Sequence, residues 1–277
     1  MLERVDRVQL AVRDRQAAAG TFESILGTTT VRGDFLRVLN CNRTVVQCGE
    51  AEFELLEPAG DGPVADYLEQ WSEGIYAAGF STGDTGALGR HMDDSGLHFT
   101  DEGGQIFVEA DQTRGMRAVI SPIMEMGEPG LITHLYEATN IVQDHKKTSS
   151  LYAHAFGLDV SRFVPIKSER WGYEGTLTMF NPPERLDRIE LTQTREASLA
   201  MGRFFARRGE SLYMCFAETD ELTALADRLE RAGARYTGDP DSGESLFIHP
   251  SALHGMLLGV SRTNYAWRWS GWPEMAP

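Results

Sequence analysis

The stretch Arg7-Val8-Gln9-Leu10-Ala11-Val12-Arg13-Asp14 contains a pattern that returns 130 residues later, around Val142-Gln143-Asp144. The same landmarks then recur at the same offset: Asp14 and Asp144, Phe22 and Tyr152, Gly27 and Gly157. A spacing that is kept over the length of a whole element indicates an internal repeat. The sequence therefore predicts two halves of similar structure.

Each copy of the repeat predicts a strand, a helix and a glycine stop. Residues 7–12 alternate polar and apolar side chains, as a half-buried strand does. Asp14 is a good N-cap for a helix that places Ala18, Phe22 and Ile25 on one stripe, and Gly27 ends that helix. The second copy repeats this order with its own residues: Leu151, Tyr152, Ala155 and Phe156 before Gly157.

Further patterns extend this order through the chain, so that a strand, a helix and more strands recur about four times. Strands are predicted at residues 44–48, 52–56, 176–180, 188–192, 245–248 and 255–260. A strong amphipathic helix is predicted from Asp220, and a weaker one with glycines over residues 82–92. The turn-rich segment 126–130 divides the chain into domains 1–126 and 131–277. The predicted fold class is α+β, built from βαβββ modules with curved mixed sheets.

The composition limits the partners. The net charge of −15 makes nucleic acid and anionic membranes poor partners. No apolar run approaches the length of a membrane span, and the charged start runs straight into a strand pattern, which predicts no signal peptide. Three cysteines without CxxC spacing suit unpaired thiols in a reducing compartment. We therefore expect a cytoplasmic protein with a small-molecule substrate.

A family resemblance agrees with the repeat. The segment Phe53-Glu54-Leu55-Leu56-Glu57-Pro58, residues 62–69 and Glu73-Gly74-Ile75 resemble the methylmalonyl-CoA epimerase branch of the vicinal-oxygen-chelate superfamily. That superfamily also includes glyoxalases, bleomycin resistance proteins and extradiol dioxygenases. Residues 247–258 resemble the last hairpin of the same family, so that the resemblance covers the chain to about Arg262. It implies two fused vicinal-oxygen-chelate domains, each of which forms a cup.

Members of this superfamily bind a divalent metal in the cup, where it stabilises an enolate or oxyanion. The resemblance places the ligand positions on Arg7, Glu54, Ala77 and Val119 in the first half, and on Glu137, Glu190, Met214 and Gly259 in the second. Alanine, valine and glycine offer no side-chain donor, and a thioether is a poor ligand for hard cations. Arginine would repel a cation. We therefore expect no family-type metal site and no other cofactor.

The predicted catalytic residues are in the second half. Glu137 and Glu190 are expected to face each other and to work as an acid/base pair, because two carboxyl groups in one apolar cup separate their pKa values. His134, three residues before Glu137, and Tyr173, a hydrogen-bond donor to substrate oxygen, complete the set. Structural roles remain as alternatives: half-exposed glutamates or partners of Arg188, a solvated histidine, and an aromatic residue packed beneath a glycine turn.

Five further residues are predicted to bind substrate. They are Glu174, Met214, His254, Arg7 and Glu54. For Arg7 and Glu54, an ion pair that replaces a lost metal site is the alternative to binding a substrate carboxylate. The tryptophan-rich segment 265–273 is expected to pack on its own domain or on a partner subunit, and a homodimer is expected.

The leading function hypothesis is a metal-independent isomerase, epimerase or lyase that acts on a small oxygenated organic acid or acyl thioester. A metal-free binding protein, of the sequestering or resistance type, is the first alternative. A ring-cleaving dioxygenase is the last, because the resemblance puts its two histidines and one glutamate on Glu137, Met214 and Gly259.

Overall fold

The computed structural model describes residues 1–277, apart from the side chain of Ser242. These residues form two mixed sheets of eight strands each. Counted from the start of its own half, each sheet has the strand order 2-3-4-1-5-8-7-6. The first strand of each half pairs in parallel with the fourth and antiparallel with the fifth, and the fifth pairs in parallel with the eighth. This is the predicted α+β fold of four βαβββ modules.

The first half contains β1 (Arg4–Ala11), α1 (Arg15–Leu26), β2 (Thr29–Leu36), β3 (Cys41–Cys48), β4 (Ala51–Pro58), α2 (Pro63–Trp71), β5 (Gly74–Thr82), α3 (Thr85–Asp94), β6 (Thr100–Glu102), β7 (Gln105–Val108) and β8 (Ala118–Pro122). The second half contains β9 (His134–Ile141), α4 (His145–Phe156), β10 (Phe163–Ser168), β11 (Tyr173–Met179), β12 (Arg188–Thr194), α5 (Ala200–Arg208), β13 (Ser211–Thr219), α6 (Leu222–Arg231), β14 (Tyr236–Gly238), β15 (Ser245–Ile248) and β16 (Leu258–Arg262). Short 3-10 helices follow in the C-terminal segment.

The helices α1 and α4 begin and end as the repeat predicts. The side chains of Asp14 and Asp144 each accept hydrogen bonds from two backbone N–H groups of the first turn. Such a cap stabilises a helix by about 1 kcal/mol relative to alanine. Each helix ends at a glycine in the left-handed conformation, with φ 73° at Gly27 and 63° at Gly157. Only glycine adopts that conformation without a steric penalty.

A continuous apolar core lies between the helices and the sheets of both halves. It contains Val8, Leu10 and Phe22 of the first half together with Ala138 and Tyr152 of the second. The opposite face of each sheet forms a cup. We call the face turned away from α1 and α3 the first cup, and the face turned away from α4 and α6 the second cup.

Some element boundaries differ from the prediction. The last strand begins at Leu258 rather than at residue 255, because Gly255 has a φ of 86° and a Cβ there would lie 2.0 Å from the carbonyl oxygen of Glu73. The weak helix begins at Thr85, after the side chain of Asp84 caps it. The domain boundary at residues 126–131 stays a prediction. Within the described residues, no helix has the length and apolar character needed to cross a membrane.

Candidate functional site

The bottom of the first cup is a closed network of charges. Arg7 donates through Nη1 to Glu52 Oε2 (3.1 Å) and to Glu54 Oε1 (3.2 Å), and through Nε to Asp6 Oδ1 (3.0 Å). Arg43 donates through Nη1 to Glu54 Oε2 at 2.9 Å. Burial alone would raise the pKa of Glu54, but Arg43 and Arg7 lower it to about 2. The Glu54 carboxylate is therefore ionised and already compensated.

The rest of the first cup is filled by apolar side chains. They include Leu36, Leu39, Cys41, Tyr76, Phe107 and Val119, with Val64, Tyr67 and Leu68 from α2. Arg7 is 1% exposed and Glu54 0%. Both side chains are buried in the network, and their substrate-binding role stays a prediction. Their contacts are those of the ion-pair alternative.

The second cup brings together Glu137 and Glu190. Glu137 accepts a hydrogen bond from Arg188 Nε (2.7 Å) and another from Thr139 Oγ1 (2.9 Å). Burial raises the pKa of Glu190 well above its ordinary value, and the hydrogen-bonded Glu137 beside it raises that pKa further, against the opposing effects of Arg188 and Tyr173. Since Arg188 balances only one negative charge, the raised pKa makes Glu190 the carboxyl group of the pair that favours its protonated form.

The two cups carry the same ion pair with the charges exchanged. Arg7 on β1 lies opposite Glu52 on β4, and at the equivalent positions Glu137 on β9 lies opposite Arg188 on β12. The closest N···O distances are 3.1 Å in the first pair and 2.7 Å in the second. Both pairs are buried. The ion pair belongs to the repeated architecture, while its polarity distinguishes the halves.

Tyr173 and Met214 also line the second cup. The Tyr173 hydroxyl donates to Glu190, which lowers the pKa of that carboxyl group. Burial raises the pKa of Tyr173 itself, and the charges of Glu190 and Glu137 raise it further, so that the phenol keeps its proton. Met214 lies opposite Thr139 across the β9–β13 pair and presents an apolar surface.

The C-terminal segment 264–277 covers the second cup. Trp267, only 2% exposed, packs in the apolar cluster that contains Tyr136. Arg188 donates through Nη1 to Ser270 Oγ at 2.8 Å, and its guanidinium carbon lies 4.9 Å from the centroid of the Tyr136 ring. The tryptophan-rich segment thus packs on its own half of the chain and shields the polar groups beneath it.

A third carboxyl group, Glu218, lies at the end of β13 on the same face. Burial raises the pKa of Glu218 to about 7, although the backbone N–H of Asn264 donates to its Oε1 at 2.9 Å. His134 Nε2 lies 3.8 Å from Glu218 Oε2, and its ring packs edge-on against Tyr136. Burial lowers the pKa of His134. The structure therefore places the predicted catalytic histidine beside Glu218.

Two predicted substrate-binding residues lie outside the second cup. Glu174 points to the opposite face of β11 from Tyr173, where it pairs with Arg195 and lies 3.7 Å from His145 Nε2. The side-chain alternation of a strand explains this placement. His254 Nδ1 lies 3.0 Å from Glu73 Oε2 in the first half, so that this histidine joins the two halves.

The positions that the resemblance assigns to a metal do not form a donor set. In the part of the chain that the structure describes, no three His, Cys, Asp or Glu side chains cluster as metal ligands do. A Cβ at Gly259 would lie 2.2 Å from the Phe216 ring, so the ring occupies the place that a ligand side chain would need. Glu137 is held by Arg188. These residues do not fit the metal of the superfamily.

Sequence reasoning missed two residues of the second cup. Glu218 follows Met214 and Phe216 at two-residue intervals along β13, an alternation that could have identified it. Tyr136 could not be found in this way. The β9–β13 pairing shifts register beside it, between Phe216 and the next residue, and such a bulge breaks the alternation of side chains.

Comparisons with known proteins agree with this fold. Residues 134–246 match the family model described as Glyoxalase/Bleomycin resistance protein/Dioxygenase superfamily. No curated protein matches the chain. A mutant of 4-hydroxymandelate synthase from Streptomyces coelicolor is 14% identical over 94% of this chain and 93% of its own, with a TM-score of 0.69. At this identity the likeness shows the fold alone.

Two further structures are similar. A xylose isomerase-like TIM barrel/4-hydroxyphenylpyruvate dioxygenase fusion protein is 12% identical over 95% of this chain and 49% of its own, with a TM-score of 0.63. Methylmalonyl-CoA epimerase from Mycobacterium tuberculosis is 20% identical over 50% of this chain and 93% of its own, with a TM-score of 0.42. The first of these covers both halves of the chain and agrees with a tandem architecture.

Proposed function

We propose a metal-independent isomerase, epimerase or lyase, since residues 134–246 match the Glyoxalase/Bleomycin resistance protein/Dioxygenase superfamily model and the first half repeats the fold of the second. Its substrate is a small oxygenated organic acid or an acyl thioester, and its site is the second cup. The observation that carries this proposal is the buried Glu137–Glu190 pair next to a single arginine, in which burial and Glu137 raise the pKa of Glu190.

The pair supplies an acid and a base at the same pH. The Glu137 carboxylate accepts the proton from the carbon next to the substrate carbonyl, and Glu190, hydrogen-bonded beside it, delivers its own proton from the same side to the carbonyl oxygen, or to a leaving group whose bond to carbon breaks. One C–H bond breaks, one bond to hydrogen forms, and the pair still holds one proton afterwards. Tyr173 stays protonated and donates a hydrogen bond to Glu190. This bond orients the carboxyl group and stabilises the negative charge that develops on its oxygen atoms when the proton leaves.

Deuterium exchange tests this function directly. The protein is incubated in D₂O with 2-oxo acids, 2-hydroxy acids and acyl thioesters, and loss of the α-proton signal is followed by NMR. Glu190→Gln and Glu137→Gln are each expected to slow the exchange by about 10²–10⁴-fold, the usual contribution of a general acid or base. The matched control is Glu54→Gln, which alters the equivalent glutamate of the first cup and is expected to leave exchange unchanged.

Two results would overturn the proposal. One is exchange that survives both substitutions in the second cup and disappears in Glu54→Gln. The other is that no compound in the panel exchanges faster with the protein than without it. Circular dichroism of each variant separates a lost reaction from a lost fold.

A metal-free binding protein is the second candidate. The observation that favours it is the cover over the second cup, where Trp267 and Ser270 lie on the groups that would meet a substrate. Binding of a compound from the same panel, measured by calorimetry and without any proton exchange, would support this candidate against catalysis. The dioxygenase alternative has support from the fold of two neighbours only, because Met214 and Gly259 stand where that chemistry needs histidines.

A further inference from the structure

A cavity of about 170 Å³ lies between the two halves, at the rim of the first cup. Its walls come from α2, β5 and the loop before β8 in the first half, and from the end of α5 and the start of β13 in the second. A water molecule occupies about 30 Å³ in the liquid, so the cavity has the volume of about five or six waters. It suits a small organic molecule rather than a coenzyme.

The most distinctive residue of this cavity is Arg208, at the end of α5. It donates to Tyr67 Oη (3.1 Å) and to the carbonyl oxygen of Trp71 (3.2 Å), and its guanidinium carbon lies 4.8 Å from the Trp71 ring. Among the described residues, its Nε is buried without a hydrogen-bond partner and no carboxylate pairs with it. An arginine has five N–H donors, so three of them, the buried Nε–H among them, have no partner here.

Two other charged groups line the cavity, and neither forms an ion pair with Arg208 in the part of the chain that the structure describes. Arg117 lies 4.7 Å above the Tyr76 ring and pairs with Glu109. Glu210 also lines the cavity, but its Oε1 accepts the backbone N–H of Gln143 at 3.0 Å. The Tyr76 hydroxyl is buried and has no partner among the described residues. Unpartnered buried polar groups of this kind call for a ligand or an ordered water.

The internal repeat relates two of the residues that line this cavity. The helices α2 and α5 correspond residue by residue, since both have nine residues, and Arg208 therefore stands where the first half has Trp71. Arg117 on the loop before β8 corresponds to Leu257 before β16. Trp71 and Arg208 line the same cavity, so that the two equivalent helix ends give it one aromatic wall and one cationic wall.

We propose that this cavity binds a small aromatic carboxylate. The carboxylate accepts hydrogen bonds from the free donors of Arg208, a geometry in which guanidinium and carboxylate form paired hydrogen bonds. The ligand ring lies against the aromatic walls provided by Trp71, Tyr67 and Tyr76. This site is separate from the second cup and does not depend on the proposed acid/base function.

Isothermal titration of the full chain with benzoate tests the proposal. Benzamide, which has the same shape without the charge, is titrated in parallel and is expected to bind at least about tenfold more weakly. Arg208→Leu is expected to weaken benzoate binding by about ten- to a hundredfold. The matched control is Arg207→Leu on the same helix, which removes the same charge from an exposed side chain and is expected to change the affinity less than about twofold.

Ala110→Leu gives a second test, because it fills the cavity and leaves Arg208 intact. It is expected to abolish benzoate binding, and it keeps the proposal testable if Arg208→Leu does not fold. Equal affinities for benzoate and benzamide, binding that survives Ala110→Leu, or no heat of binding with the folded wild type would each overturn the proposal. The deuterium exchange of the second cup is expected to be unchanged in Ala110→Leu, so failure here is distinct from failure there.

Discussion

The two cups differ in the charge that the strand next to the inner glutamate provides, which is β3 in the first half and β11 in the second. The inner glutamate of each sheet, Glu54 and Glu190, lies opposite equivalent residues of the neighbouring strand. Two residues away on that strand, the first cup has Arg43 and the second has Gly175. Arg43 holds Glu54 ionised. At the equivalent position, Gly175 carries no charge that could lower the pKa of Glu190, and this pKa is raised. The missing cation, together with Glu137 at the position equivalent to Arg7, therefore turns a structural carboxylate into a candidate acid.

The largest expected effect is the removal of that cation from the first cup. Arg43→Met leaves Glu54 and Asp34 without their shared partner and is expected to lower the free energy of unfolding by about 3–5 kcal/mol, the cost of an uncompensated buried charge. Urea unfolding at neutral pH measures it. The exposed Arg37→Met is the control and is expected to change stability by less than about 0.5 kcal/mol. If the two variants unfold alike, the network does not hold the first cup together.

In a plot of stability against pH, we expect the first cup to determine the loss at low pH (the acid flank) and the second cup to determine the loss at high pH (the basic flank). The pKa of Glu54 is lowered from 4.5 to about 2, so its contribution is complete above the ordinary value and is lost as the pH falls through about 2. The pKa of Glu218 is raised from 4.5 to about 7, so its contribution is complete below the ordinary value and is lost as the pH rises through about 7. At about 1.4 kcal/mol per pKa unit, each amounts to at most about 3.5 kcal/mol.

Urea unfolding between about pH 3 and about pH 8 separates the two flanks. Glu54→Gln is expected to reduce the loss of stability at low pH and to leave the loss at high pH unchanged. Glu218→Gln is expected to reduce the loss at high pH and to leave the loss at low pH unchanged. A variant that changes the opposite flank would show that its carboxyl group titrates in the other direction.

The smallest expected effect on stability is that of Glu190→Gln. An amide is close in shape and charge to a protonated carboxyl group, so this variant is expected to stay within about 1 kcal/mol of the wild type at neutral pH. Glu54→Gln, which replaces an ionised group, is expected to lose about 1–3 kcal/mol. A loss at Glu190 as large as that at Glu54 would mean that Glu190 is ionised in the folded protein, and the proposed function would lose its basis.

The fold could be predicted from the sequence because the residues that signal it act within single helices and strands. Asp14 and Gly27 act within one helix, so their recurrence at Asp144 and Gly157 is sufficient to place two equivalent modules. The carboxyl pair was predicted from the family resemblance, which assigns Glu137 and Glu190 to the ligand positions of the module. The contribution of Arg43 was not, because it depends on the register between β3 and β4.

The packing of segment 264–277 over the second cup could not be predicted from local sequence signals either. The contact between Arg188 and Ser270 joins residues 82 positions apart, and the tryptophan-rich composition predicted burial without saying against which surface. The contact of His254 was not predicted for a related reason: its partner Glu73 belongs to the other half of the chain.

The exchanged ion pairs have a consequence for folding. Two similar repeats in one chain are prone to misassembly, in which a strand of one repeat inserts into the sheet of the other. If β9 took the place of β1, Glu137 would face Glu52, and the converse exchange would set Arg7 against Arg188. Buried like charges cost several kcal/mol, so each half rejects the first strand of the other. The reversed polarity of the two ion pairs therefore favours pairing of β1 with β4 and of β9 with β12, each within its own half.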